Sequence, residues 1–307
     1  MNETKHNMHT TIVQGYDYSG DSGDSSSSSS SSPSLTPNFP FGGHACACDH
    51  KLNTADTIGS TGRDKYKWAP SNCQFRKWNS KEFCNLLGKR TLLFLGDSTI
   101  VQAMSTLQNY ISAGGGRCGA QIFVRRSDTL SYEELISALR LFTHGGESKK
   151  KRQLDVLILN AGAHFADTKE MNNMWENLNK FILKYREATP TNTTTFVWKT
   201  QNPGHPEYVD TPFTSYSAYK THEAIPQKAG NYNYKLFESF DEISKTNAAK
   251  LGLPVIDMFP LYLRADAHPN SVGANSLGSL DRLHFCAPGP LDIIADILIT
   301  MLYTKEI

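Results

Sequence analysis

The sequence predicts an α/β protein, a three-layer α/β/α sandwich around a five-stranded, mainly parallel sheet. Two observations carry this. From Lys89 onward, short continuous apolar runs alternate with stretches of helical spacing, as buried parallel strands and their crossover helices require. The chemistry-bearing polar residues also collect in segments that follow strands, and such segments leave a parallel sheet from one edge.

The first strand is expected over 91–95, where Leu92, Leu93, Phe94 and Leu95 run without interruption. Gly96 permits a sharp turn, and a helix over 99–111 follows, with Ile100, Val101, Met104, Leu107 and Ile111 on one side. Strand two is expected over 121–125, after Gly114-Gly115-Gly116. That glycine run precedes a strand and no Gly-Lys-Ser/Thr follows it, so it is not a phosphate-cradling loop. A helix over 132–142, a strand over 155–160 and a helix over 171–185 come next. The fourth strand covers 195–199 and leads into a long loop with Pro203, Gly204, His205, Pro206 and Pro212. A helix over 234–251, a fifth strand over 254–258, a second long loop over 268–288 and a last helix over 291–302 complete the pattern.

Three regions are expected along the 307 residues. Residues 1–40 contain an uninterrupted serine run after Asp24 and read as a disordered tail, because they cannot bury enough apolar surface to offset their ordering entropy. Residues 41–88 form a Cys- and aromatic-rich extension packed on the catalytic domain, with a short helix over 80–87 capped by Ser80. Residues 89–307 form the catalytic domain. Lys and Arg number 31 against 30 Asp and Glu, which excludes a nucleic-acid footprint; the basic run Lys149-Lys150-Lys151-Arg152 reads as a solvated loop.

Of six cysteines, Cys46, Cys48, Cys73 and Cys84 cluster before the first strand; Cys118 and Cys286 lie beyond it. No Cys-x-x-Cys pair occurs, which argues against zinc, and the clustering suits disulfides in a secretory compartment. Asn2-Glu3-Thr4 and Asn192-Thr193-Thr194 are glycosylation sequons compatible with that location. No apolar run reaches transmembrane length and residues 1–16 hold no signal-peptide core. The expectation is a chain of the Golgi lumen or the cell exterior with no membrane anchor within this sequence, either a lumenal fragment or one whose start lies upstream.

Asp97 and Ser98 sit where a strand meets a helix. Either could be a helix cap, and Ser98 could equally present a nucleophilic hydroxyl at the sheet's carboxyl edge. Asp281-Arg282-Leu283-His284 bears on the choice. A carboxylate three residues before an imidazole can fix its tautomer and leave the other nitrogen as a base, which a serine nucleophile needs. Oxyanion donors are sought among the Ser98 N–H, the Gly162 N–H, the Asn160 amide and the His164 ring. His164 and His205 are expected to face substrate, Trp198 to lie in the core, and Trp68 and Trp78 either to pack or to stack on sugar rings. This chemistry calls for no metal or organic cofactor.

Gly96-Asp97-Ser98 early and Asp281-x-x-His284 late resemble the SGNH/GDSL hydrolase superfamily. Gly62-Arg63-Asp64, Tyr66-Lys67-Trp68-Ala69-Pro70, Gly88-Lys89-Arg90, Asn160-x-Gly162, Trp198-Lys199-Thr200 with Pro203 and His205, and His284-Phe285-Cys286-x-Pro288-Gly289 resemble one branch of it. That branch is the PC-esterase and trichome birefringence-like group of polysaccharide O-acetyltransferases, and the resemblance covers about residues 60–302. It implies Ser98 as nucleophile, His284 as base and Asp281 as its carboxylate. It implies a carbohydrate O-acetyltransferase working through an acetyl-serine, with an acetyl donor and a glycan or polysaccharide as partners. The alternatives are a carbohydrate acetylesterase and a non-catalytic glycan-binding protein of the same fold. Arg282 stands where plant members carry cysteine and Val101 where they carry arginine, so the plant cysteine pairing and a xylan substrate do not transfer.

Overall fold

A computed structural model describes residues 75–114, 118–143, 153–189, 194–205, 216–222, 232–268, 282–285 and 289–307. Outside them lie the serine-rich tail, most of the Cys-rich extension with Cys46, Cys48 and Cys73, both sequon asparagines, the basic run, Asp281 and Cys286.

Five strands form one parallel sheet: β1 (Thr91–Gly96), β2 (Gln121–Arg126), β3 (Val156–Asn160), β4 (Thr195–Lys199) and β5 (Val255–Ile256). Their order is β2-β1-β3-β4-β5, which places β1 inside the sheet between β2 and β3. The alternation of β1 side chains builds two cores. Leu93 and Leu95 join Phe142, Trp175, Phe181, Trp198 and Phe240 on one face; Leu92 and Phe94 join Leu87, Met104, Ile294 and Leu298 on the other. Full burial of each such side chain is worth roughly 1.5–3 kcal/mol. Helices α3 (Tyr132–Thr143), α4 (Thr168–Ala188) and α6 (Phe237–Leu251) cover the first face. Helices α1 (Ser80–Leu87), α2 (Ser98–Ala113) and α7 (Ile293–Thr304) cover the second. A further helix, α5 (Tyr216–His222), lies in the long loop after β4, where no apolar periodicity announced it.

Caps explain where the helices start. Asn79, not Ser80, caps α1: its Oδ1 accepts from the Glu82 N–H, while the Ser80 hydroxyl turns to the Gly114 carbonyl. The first turn of α3 is a reciprocal box, with the Ser131 hydroxyl accepting from the Glu134 N–H and the Glu134 carboxylate from the Ser131 N–H. α4 begins at Thr168, earlier than its apolar pattern, because the Asp167 carboxylate accepts from the Glu170 N–H. β5 is cut to two residues because the Met258 N–H goes to the Thr200 hydroxyl instead of a strand partner.

Residues 75–87 pack against α7. The Arg76 N–H donates to Thr300 Oγ1 and the Trp78 N–H to Asp296 Oδ1, both on α7. The Trp78 ring meets Phe83 at a tilt and Tyr110 edge to face, so it serves packing. A disulfide joins Cys84 on α1 to Cys118 just before β2, closing a sequence separation of 34 residues. A loop of that size is worth about 4 kcal/mol in the chain-entropy account. Replacing both Cys84 and Cys118 with alanine should therefore lower the melting temperature, by roughly 8–15 °C for a domain of this size. Calorimetry of the double variant against wild type checks this.

Candidate active site

β1 ends against its neighbour with no room for a side chain at Gly96. A Cβ there would lie 2.2 Å from the Asn160 carbonyl oxygen. This close approach lets Asp97 and Ser98 turn directly into α2 at the carboxyl edge of the sheet.

Asp97 is fully buried and shapes the turn. Its Oδ1 accepts from the Thr99 N–H at 2.9 Å and lies 2.8 Å from the Thr99 hydroxyl. Its Oδ2 accepts from Gln201 Nε2 at 2.6 Å and the Ala163 N–H at 3.3 Å. The carboxylate thus caps α2 and ties the ends of β1, β3 and β4 together. It makes no hydrogen bond to His284. Below it lies a buried polar layer: Lys199 Nζ donates to Asn202 Oδ1, and the Gln201 N–H to Asp241 Oδ1. Burial pushes the Lys199 ammonium down to about 8 against the pull of Asp97 and Asp241, and raises the Asp241 carboxyl well above its usual range.

Ser98 opens α2, and its hydroxyl lies 2.8 Å from His284 Nε2. These two residues are 186 apart in sequence. The His284 segment is held from several sides. Gln102, one helical turn beyond Ser98, donates from Nε2 to the Phe285 carbonyl at 2.5 Å and accepts the Phe285 N–H at 3.2 Å. The His205 N–H donates to the Arg282 carbonyl at 3.0 Å. His268 Nδ1 lies 2.7 Å from the His284 carbonyl, and its ring stacks on Phe285 at 4.5 Å. Gln102 was missed in the sequence because its only signal is being one turn from Ser98. Gln102→Ala removes both bonds and leaves buried backbone groups unpaired, a cost of about 1–3 kcal/mol. The expected result is a roughly 10-fold or larger fall in kcat with little change in KM, read by steady-state kinetics on a chromogenic acetyl ester.

Two sequence expectations need correction. His205 does not line a substrate wall. It is buried, with Nδ1 2.5 Å from His268 Nε2 and Nε2 2.7 Å from the Tyr262 carbonyl. The Asn160 amide does not point outward as an oxyanion donor. Its nitrogen faces the Lys199 and Thr200 carbonyls at 3.3 and 3.5 Å, because those buried acceptors at the end of β4 need donors. Gly162 has φ +133°, a conformation that favours glycine, and packs near Met171 and Phe240. Among the described residues no acceptor takes the N–H of Ser98 or of Gly162. His164 is partly exposed, with Nε2 3.6 Å from Asp128 Oδ1 and its ring 5.4 Å from that of Tyr232. Asp128 also takes two bonds from Arg126, whose Cα pairs in register with Gly96. Trp198 is in the core, as expected. Asp281 lies outside the described residues. No group of acidic, histidine or cysteine side chains among the described residues is arranged to hold a metal ion.

The sequence matches no protein-family model and no curated protein. Among solved structures similar to the chain is an acetyl xylan esterase, 13% identical, covering 71% of this chain and 100% of that one with a TM-score of 0.42. Another is the periplasmic domain of a lipopolysaccharide acetyltransferase from Salmonella ser. Paratyphi A, 16% identical, covering 71% and 84%, TM-score 0.40. A catalytic mutant of an acetylxylan esterase from Geobacillus stearothermophilus is 10% identical, covering 71% and 94%, TM-score 0.37.

Proposed function

We propose that this protein is a carbohydrate O-acetyltransferase of the SGNH type that works through an acetyl-serine at Ser98. The observation that carries the reading is the 2.8 Å contact between the Ser98 hydroxyl and His284 Nε2 at the start of α2. The Gly96-Asp97-Ser98 and Asp281-x-x-His284 resemblance supports the SGNH chemistry, and Asn160-x-Gly162, Trp198-Lys199-Thr200 and His284-Phe285-Cys286-x-Pro288-Gly289 are among the motifs that support acetyl transfer and the PC-esterase branch.

In this reading His284 Nε2 takes the Ser98 proton as the oxygen attacks the acetyl carbonyl. Nδ1 must then keep its hydrogen, and Asp281 is its proposed acceptor. The tetrahedral oxyanion is met by the N–H groups of Ser98 and Gly162, the former aided by the helix dipole. Collapse breaks the ester bond to the donor sugar, whose oxygen takes the proton from His284. A second sugar hydroxyl, deprotonated by His284, then attacks the acetyl-serine; the bond from the acetyl carbon to Ser98 Oγ breaks, Oγ takes the proton back from His284, and the acceptor sugar leaves with the acetyl group. His164, with Arg126, Asp128 and Tyr232 beside it, is the proposed sugar-binding side of the site. The Cys84–Cys118 disulfide supports a secretory-pathway location. No described helix is long and apolar enough to cross a membrane.

The test is mass spectrometry of the protein incubated with acetylated oligosaccharides and unacetylated acceptors. An acetyl adduct on Ser98 that passes to acceptor sugar supports the transferase. Transfer to water alone would reassign the protein as an acetylesterase. Absence of an adduct together with failure of a fluorophosphonate probe to label Ser98 would leave a glycan-binding protein.

A further inference from the structure

The His205–His268 pair carries a proton count that the reaction above does not use. His205 Nε2 faces the Tyr262 carbonyl at 2.7 Å, and His268 Nδ1 faces the His284 carbonyl at 2.7 Å. A carbonyl only accepts, so each of these outer nitrogens must carry hydrogen. The inner nitrogens, His205 Nδ1 and His268 Nε2, are 2.5 Å apart, and that contact needs one hydrogen between them. Three hydrogens on two imidazoles is one more than two neutral rings hold. The arrangement is that of a pair sharing a single added proton.

Removing that proton forces a choice. With His205 donating to Tyr262 and His268 donating to His205, His268 Nδ1 has no hydrogen left and turns a lone pair on the His284 carbonyl. With His268 donating to His284 and His205 donating to His268, the Tyr262 carbonyl is abandoned instead. A neutral pair keeps only two of the three bonds. We propose that His205 and His268 are positioning residues that share one proton and use it to hold the backbone of His284 against the Tyr262 segment. This rests on reading His284 as the base.

The groups around the pair set where the proton is lost. Arg282 and His284 face it from the 282–285 segment, Tyr219 from α5 at a ring distance of 5.7 Å, and the Tyr262 carbonyl from the 3-10 turn Phe259–Leu263. Burial pushes the His205 imidazole down to about 4; the Tyr262 carbonyl opposes this and the Arg282 charge adds to it. The fully bonded form therefore belongs to the acid side, and raising the pH frees one of the two carbonyls.

Ring-nitrogen NMR of the full chain, with labelled histidine and titrated from about pH 8 down to about pH 3, tests this. His205 and His268 should titrate together as one single-proton event, with hydrogen on both outer nitrogens at the acid end. His268→Phe, which keeps a ring against Phe285, should abolish that coupled event. It should also lower kcat roughly 5- to 10-fold at constant KM, the equivalent of about one hydrogen bond. His268→Gln, which restores a donor to His284, should recover most of that loss without restoring the titration. Independent titrations of the two rings in wild type, or wild-type kcat in His268→Phe, would overturn the proposal. If the phenylalanine variant does not fold, the wild-type titration decides alone. A wild type with the coupled titration but no acyl-enzyme would refute the acetyl-transfer reading and spare the pair.

Discussion

Ser98→Ala should abolish acyl-enzyme formation and lower turnover of an acetyl ester by roughly 10⁴–10⁶-fold, as loss of a triad nucleophile does. The fold should survive. The change deletes one hydroxyl at the start of α2 and leaves His284 Nε2 without its 2.8 Å partner. That costs on the order of 1 kcal/mol, a shift of a few degrees in melting temperature. The carboxylate of Asp97 caps the helix in either case, since its bonds run to Thr99, Gln201 and Ala163. In the proposed mechanism Ser98 and His284 act on one proton, so His284→Ala should cost nearly as much, and the double variant little more than either. Fluorophosphonate labelling and initial rates measure all three. Turnover within tenfold of wild type in Ser98→Ala would remove this serine from the chemistry.

Gly96→Ala should be the most damaging single methyl in the sheet. The added carbon would sit 2.2 Å from the Asn160 oxygen and 3.0 Å from its carbonyl carbon, both main chain. Neither can swing away as a side-chain tip would, so β1 and β3 must part. Overpacking of this kind costs about 3 kcal/mol or more. At 2–4 °C per kcal/mol that is a fall of roughly 10 °C in melting temperature. The displacement also reaches the next two residues, Asp97 and Ser98, so activity should fall at temperatures where the variant is still folded. Gly119→Ala is the control, because its added methyl meets the Gly88 oxygen at an ordinary 3.5 Å. Thermal melts and ester turnover on the two variants separate the cases.

The sheet was legible because its strands are nearly solid apolar runs, and β4 falls on the predicted residues. Edges were less so. β5 reads as five residues but pairs over two, since whether a backbone N–H meets a strand or the Thr200 hydroxyl is decided by a residue over fifty positions away. Within the site, Ser98 and His284 could be matched because each sits in a motif with a chemical rationale. Gln102, His268 and the true setting of His205 could not. A glutamine on a helix, a histidine in a long loop and a histidine after Pro-Gly look like surface residues until the 282–285 segment is laid against them. The Asn160 amide illustrates the same limit: its direction is set by the carbonyls of Lys199 and Thr200, not by its own position at a strand end.

The distance along the chain between Ser98 and His284 has a consequence for synthesis. The serine leaves the ribosome 186 residues ahead of the histidine proposed as its base, and Gln102 waits 183 residues for Phe285. Until that late segment docks on α2, the growing chain carries an ordinary, unreactive alcohol. On the proposed chemistry, acquisition of a reactive serine is a timestamp on the closing steps of folding, and a chain stalled before residue 282 should pass a nucleophile-directed probe unmarked.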